Sequence, residues 1–113
     1  MKYTVKVLNC VFAVDFDMSK IKRLVLDVLK PHEPSVVEFT HEISKLDSVS
    51  SINSTLIELD EKVKNLKLTI VGTDLHYGEI EKKIRKLGGS IHSIDEVVAG
   101  EEIIENVETP QDV

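Results

Sequence analysis

The sequence has little cysteine and few aromatic residues. It contains one cysteine, Cys10, no tryptophan, three phenylalanines and two tyrosines. One cysteine cannot form an internal disulfide, and no second cysteine or pair of histidines provides the ligand spacing of a zinc site. We therefore predict a reducing, cytoplasmic compartment. Because hydrophobic residues still make up 42% of the chain, we expect a core built from aliphatic side chains.

Positive charge is also scarce. The chain has 14 lysine and arginine residues against 20 acids, a net charge of −6. Its negative field repels phosphate backbones, so we predict no nucleic-acid partner. The sequence has no P-loop, dinucleotide fingerprint or nucleophile elbow, so we predict no cofactor. The apolar run at residues 7–14 is too short to span a bilayer, and two acids follow it, so we predict no membrane partner and no secretory signal.

The chain length of 113 residues fits one domain. A chain of this size buries only about two-thirds of the surface that its unfolded form exposes, so self-association would be a natural source of further stability. Residues 1–17 have a strand-like pattern and form an N-terminal extension, and Met18 is an alternative start of the biological chain. We predict a domain over residues 18–99 and an acidic tail over residues 100–113.

Hydrophobic periodicity divides this domain into six elements. An aliphatic run from residue 20 predicts a central strand, which Pro31 ends, and Pro34 is well placed as the first residue of a helix. Apolar positions then recur at helical spacing as far as residue 46. Two alternating runs, at residues 52–57 and 66–70, predict a hairpin. Asp74 is a suitable N-cap for a second helix, and Gly88 and Gly89 are suited to end it.

The last predicted strand covers residues 90–98 and completes the order β-α-β-β-α-β. This order is typical of the α+β ferredoxin-like sandwich, in which two helices cover one face of a four-stranded antiparallel sheet. The apolar residues of the last strand are spaced as in a helix, so we expect a bulge or a twist rather than a clean alternation. A helix over residues 94–107 is the alternative.

The sheet face without helices is where the fold leaves room for function. Asp27 and Lys67 are expected to face each other there, either as a structural ion pair or as a carboxylate with a tuned pKa. In the last strand, His92 and Glu96 are candidates for acid–base chemistry, but strand alternation turns Asp95 to the other face. We therefore predict no metal site from these three residues.

Two further groups of residues are candidates for binding sites. His32 and Glu33 lie between two prolines, next to a helix N-terminus that could receive an anion; a stiff connection is the alternative explanation. The second helix carries the basic cluster of the chain, and a solvated face that complements the helix dipole is its simplest explanation. The residues of this cluster are Lys82, Lys83, Arg85 and Lys86.

Five segments together resemble the archaeal domain-of-unknown-function family 211. They are LVLDVLKPHEP, STLIELDE, VGTDLHYGEI, GGSIHSIDEVVAG and the terminal TPQD, and the resemblance covers residues 21–112. It implies a small ferredoxin-like subunit that assembles into homo-oligomeric rings, with no assigned catalytic residues. In such a ring the acids of residues 101–108 would face Lys82 to Lys86, and the interface would include Ile91, Ile94, Val97 and Val98.

The combined prediction is a cytoplasmic homo-oligomer that is not an enzyme and binds a small ligand or regulates a partner. The fold analogy alone is weak support for a ligand. One alternative is an enzyme with a carboxylate and histidine site between subunits, and another is a structural scaffold. The candidate ligand-binding residues are Asp27, His32, Glu33, His92 and Glu96.

Overall fold

The computed structural model describes residues 2–7, 10–15 and 20–101. At the N-terminus, strands β1 (Lys2–Val7) and β2 (Cys10–Asp15) pair antiparallel as a two-stranded sheet of their own. The strand-like pattern predicted for this region thus corresponds to two paired strands over residues 2–7 and 10–15. The predicted alternative start, Met18, lies outside the described residues.

The remaining strands form one antiparallel sheet. Its members are β3 (Ile21–Pro31), β4 (Ser51–Leu59), β5 (Val63–Val71) and β6 (Ser90–Ala99), in the spatial order β4-β5-β3-β6. Helix α1 (Val36–Ser44) follows β3, and helix α2 (Tyr77–Lys86) follows β5. The order β-α-β-β-α-β and this strand arrangement confirm the predicted ferredoxin-like fold. β4 and β6 are the two edges of the sheet.

Strand alternation decides which side chains reach the core. Along β3, residues 24, 26, 28 and 30 are buried beneath the helices, whereas the residues between them are half-buried on the opposite face. Leu66, Leu68 and Ile70 of β5 and Phe39, Ile43, Ile80 and Ile84 of the helices complete the centre of an aliphatic core with one aromatic ring. Among the described residues, no helix is both long enough and apolar enough to cross a membrane.

Both helix starts differ from the prediction. Ser35, not Pro34, determines where α1 begins, because the Ser35 hydroxyl accepts a hydrogen bond from the Glu38 N–H at 3.1 Å. The N-cap of α2 is His76 and makes no capping bond through its side chain. Asp74 was therefore the wrong choice: the buried Leu75 donates its N–H to Ile21 O at 2.8 Å, which ties this segment to β3 before the helix begins.

The end of α2 and the course of β6 agree with the prediction. Gly88 has φ +92, a left-handed conformation that follows the last helical turn. In β6, the pairing with β3 slips at His92 and again at Asp95, so that each of these residues is an extra residue in the ladder. The expected bulge is thus present twice. The strand continues to Ala99, so the alternative of a helix starting at Ile94 is wrong for residues 94–99, and residues 102–107 lie outside the described residues.

Candidate functional site

Asp27 lies at the centre of the sheet face that has no helices. Its Cα is opposite Lys67 on β5 and opposite Ser93 on β6. Asp27 and Lys67 nevertheless form no ion pair: Lys67 is exposed, and the buried Asp27 Oδ1 has no hydrogen-bond partner among the described residues. Asn65 Oδ1, two residues from Lys67 on β5 and opposite Leu29, is also buried without a hydrogen-bond partner among the described residues. Two buried acceptors without donors are costly, so a donor brought by another molecule would stabilise this face.

Glu96 is already engaged on the same face. Its Oε1 lies 3.1 Å from Nε of Arg23, and both side chains are mostly buried. The contact is an ion pair between a guanidinium and a carboxylate. The Arg23 guanidinium holds this carboxylate in place against the sheet face. The geometry therefore gives Glu96 a structural role within the subunit.

His92 and Asp95, the two bulge residues, are exposed on the edge strand β6. The Asp95 carboxylate accepts a hydrogen bond from the Ser93 hydroxyl at 2.8 Å. Within the part of the chain that the structure describes, no three His, Cys, Asp or Glu side chains are grouped to hold a metal ion. His92 and Glu96 thus have different surroundings, one exposed at a bulge and the other paired with Arg23.

His32 and Glu33 are exposed on the connection between β3 and α1. The His32 Nε2 lies 3.1 Å from the carbonyl oxygen of Asp60, which joins the end of β3 to the turn between β4 and β5. Within that turn, the Asp60 carboxylate accepts hydrogen bonds from the N–H groups of Lys62 and Val63 at 2.9 and 3.0 Å. These two bonds, with a smaller contribution from His32, lower the pKa of Asp60. The contacts favour the structural explanation of this loop.

Lys30 is a buried lysine, and the alternation of side chains along β3 is sufficient to predict its position on the core-facing side. It occupies the core-facing position that follows Leu24, Leu26 and Val28 along β3, and it has no exposed surface. Its Nζ donates to the Pro31 carbonyl at 2.5 Å and lies 5.8 Å from the centre of the Phe39 ring. Burial, followed by the nearby charge of Lys64, lowers the pKa of Lys30.

The two edges of the sheet expose most of the large apolar side chains that face solvent. On β4, Leu56, Ile57 and Leu59 are 49–57% exposed, and on β6, Ile94 and Val97 are 48% and 51% exposed. Of the other two predicted interface residues, Ile91 packs against the core and Val98 is buried within the subunit. We call Leu56, Ile57 and Leu59 the β4 patch, and we call Ile94 and Val97 the β6 patch.

A groove of about 600 Å³ lies between α1 and the β4 edge. The hydroxyls of Thr40 and Ser54 are hydrogen-bonded across it at 2.6 Å. The remaining lining residues combine hydroxyl, imidazole and aliphatic groups: Val36, Val37, His41, Ser44, Ser51 and Ile52. The sequence prediction missed this site. Its only signal was the spacing of Thr40 and Ser44, four residues apart on one side of a helix.

The predicted basic cluster of α2 divides into paired and unpaired residues. Lys83 Nζ lies 3.2 Å from Glu42, and Arg85 lies 3.1 Å from Glu81. Bonds from Lys45 and Lys83 lower the pKa of Glu42. Lys82 and Lys86, by contrast, have no side-chain partner among the described residues. They lie on the rim of a second, smaller groove of about 250 Å³.

Comparison with known proteins places the chain among proteins whose function is not established. A family model described as DUF211, Uncharacterized ArCR, matches residues 22–113. The Uncharacterized protein MJ0319 of Methanocaldococcus jannaschii is 50% identical over 95 residues, which is 84% of this chain and 98% of that protein. The region matched by the family model begins within β3, after the N-terminal hairpin.

Proposed function

Since the chain belongs to the DUF211 family of uncharacterized proteins, as its sequence segments indicated, we propose that it is a cytoplasmic, non-enzymatic module that works as a homo-oligomer. In this proposal, subunits join edge to edge through their sheets, close into a ring, and bind a small polar ligand where two subunits meet. The observation that carries the proposal is the presence of an apolar patch on each of the two sheet edges.

The patches support assembly because the edge of a sheet also presents backbone N–H and C=O groups without partners. Proteins usually protect such edges with charges, prolines or bulges. Here β6 has two bulges, at His92 and Asp95, yet it still exposes Ile94 and Val97. Covering these side chains with another subunit would remove apolar surface from water, which is the main source of stability in protein association.

The presence of two different patches favours head-to-tail contacts. A symmetric dimer through β6 alone would leave the β4 patch in water, and a dimer through β4 alone would leave the β6 patch exposed. If β6 of one subunit joins β4 of the next, one type of contact covers both patches. Repeating this contact produces a ring when the rotation closes.

The same arrangement suggests the position of a ligand. The α1–β4 groove lies beside the β4 edge, so a neighbouring β6 would carry the exposed His92 and Asp95 towards it. Hydroxyls and imidazoles suit a small polar molecule, and Val37, which is 79% exposed, gives the groove an apolar wall. Asp27, with its unpartnered oxygen, is the alternative position for a ligand that donates hydrogen bonds.

A mixing experiment tests the head-to-tail contact. One variant, Ile94→Asp, places a negative charge in the β6 patch, and a second variant, Ile57→Asp, places one in the β4 patch. Each variant alone should be monomeric in native mass spectrometry. Mixed in equal amounts, they should form a heterodimer and nothing larger, because only one intact β4 patch and one intact β6 patch can meet.

Matched controls show whether the apolar patch or charge alone matters. Ser90→Asp and Asn53→Asp add the same charge to exposed positions of β6 and β4 outside the two patches, and both should assemble as the unaltered chain does. If Ile57→Asp alone still forms dimers, the contact is symmetric through β6 and the head-to-tail proposal is wrong. If both patch variants assemble normally, the sheet edges are not the interface.

A further inference from the structure

The groove beside α2 combines an apolar floor with a basic rim. It is lined by Leu46, which follows α1, and by Glu79, Lys82, Lys83 and Lys86 of α2. Lys83 is balanced by Glu42, and Glu79 lies 3.5 Å from Nδ1 of His76. Among the lysines of this lining, Lys82 and Lys86 are the two without a side-chain partner in the part of the chain that the structure describes, and the Glu79 contact is an ion pair only when His76 is protonated. We call this site the basic groove.

We propose that the chain's own C-terminal tail, residues 102–113, binds in the basic groove. The tail has four acids and no lysine or arginine, so it accounts for four of the six net negative charges of the chain. Its acids are interleaved with Ile103, Ile104 and Val107. A segment of this kind matches a groove that offers apolar contact below and ammonium groups on its rim.

The position at which the tail leaves the domain makes this contact possible within one subunit. The Gly100 N–H donates to Lys20 O at 2.8 Å, at the start of β3, and the Leu75 N–H donates to Ile21 O next to it. The tail therefore leaves close to the N-terminal end of α2. A helix of ten residues is about 15 Å long, whereas twelve extended residues reach about 40 Å. The tail can cross α2 and reach the whole groove.

Covalent attachment makes such a contact effective although each ion pair is weak. Attachment through a segment of this length keeps the tail at a local concentration on the order of millimolar around the groove. Exposed ion pairs are screened by salt, so the contact should be reversible and sensitive to ionic strength. The tail would then cover the basic groove and compete with any external acidic segment. This inference does not depend on the proposed ring, because one subunit contains both parts.

Carbodiimide cross-linking of the full-length protein tests the contact, because this reagent joins an amine and a carboxylate only when they touch. Peptide mass spectrometry should find links from Glu105 or Glu108 to Lys82 or Lys86. The exposed Lys62, in the turn between β4 and β5, is the control lysine. Raising the salt concentration to about 1 M, where the screening length falls to about 3 Å, should reduce the links to the groove several-fold.

Charge exchange and isotope labelling distinguish this contact from random coupling and from contact between subunits. Lys82→Glu with Lys86→Glu should abolish the links, whereas Lys62→Glu should leave them unchanged. Adding Glu105→Lys and Glu108→Lys to the first pair should restore them. In a mixture of ¹⁴N and ¹⁵N chains, the links should join peptides of the same isotope. Equal coupling of the tail to Lys62, links that persist in the groove variant, or links that mainly join light to heavy chains would each overturn the proposal.

Discussion

Replacing Gly72 by alanine tests how closely the elements of the domain pack around this residue. It follows β5 and is buried, and its N–H donates to Lys22 O at 3.0 Å. A Cβ at this position would lie 2.3 Å from the carbonyl oxygen of Ser48 and 2.7 Å from Cδ2 of Leu75. Both distances are shorter than atoms tolerate, and the first involves backbone. Gly72→Ala therefore requires the α1–β4 loop to move away from β5.

The cost follows from the rigidity of that loop. Adding one methyl group to a packed site destabilises proteins by about 1–3 kcal/mol, and because the nearer neighbour is a carbonyl rather than a flexible side chain, we expect about 2–3 kcal/mol. For a domain of this size, that corresponds to a fall in Tm of roughly 10–20 °C. The assay is urea unfolding, repeated at several protein concentrations so that any stabilisation by assembly can be separated from the stability of the subunit.

Gly78→Ala is the matched control. Gly78 lies in α2, and a Cβ there would meet no atom within 4 Å. Alanine favours the helix over glycine by up to about 1 kcal/mol, so this variant should be as stable as the unaltered chain or more stable. If Gly72→Ala unfolds at the same urea concentration as the unaltered chain, Gly72 does not lie as close to the Ser48 carbonyl oxygen as described here.

Three further substitutions test the core, a helix cap and a charged turn. Leu26→Ala should lower the free energy of unfolding by about 2–5 kcal/mol in urea titrations, because it leaves a cavity at a fully buried site on β3. Ser35→Ala should cost about 1 kcal/mol in the same assay, since α1 loses the bond to the Glu38 N–H. The pKa of Asp60 is lower in the folded state than its ordinary value of 3.8. The ionised carboxylate therefore stabilises the folded state at pH values above 3.8, and this stabilisation is lost as the pH falls through the folded pKa. The difference in stability between the unaltered chain and Asp60→Ala should therefore be present at pH 7 and vanish in strong acid; a constant difference would contradict the assignment.

Much of the fold could be predicted because local patterns and tertiary packing agree. Along β3, alternation identifies Leu24, Leu26 and Val28 as core residues, and the same rule extends to Lys30. In β6, the helix-like spacing of the apolar residues predicted a bulge or a twist, and two residues of this strand are extra residues in its pairing with β3. Both predictions depended on the period of side-chain orientation, which the sequence contains directly.

The predictions that failed depended on contacts between distant segments. Asp74 is chemically a good N-cap, but the bond between Leu75 and Ile21 in β3 determines where the chain turns into α2. Asp27 and Lys67 are opposite in register, as expected, yet register fixes Cα positions and not the direction of a long side chain. Local chemistry cannot reveal which of several plausible partners the folded chain will bring close.

The candidate sites were harder to predict than the fold for the same reason. The α1–β4 groove exists only because α1 packs beside an edge strand, so its lining residues come from two separate segments. The apolar patches on β4 and β6 become informative once the strand order shows that both strands are edges. From sequence alone, Leu56 and Ile57 have the pattern of any half-buried strand.

Native mass spectrometry of the unaltered chain is the measurement that decides whether the two sheet edges join subunits into a ring. Because both sheet edges carry apolar patches, we expect one closed assembly of several subunits at micromolar concentration, with an additional small mass where a ligand is retained. We also expect dilution to remove whole rings rather than to produce a ladder of open oligomers. A monomer at micromolar concentration would contradict the proposal that the β4 and β6 patches join subunits.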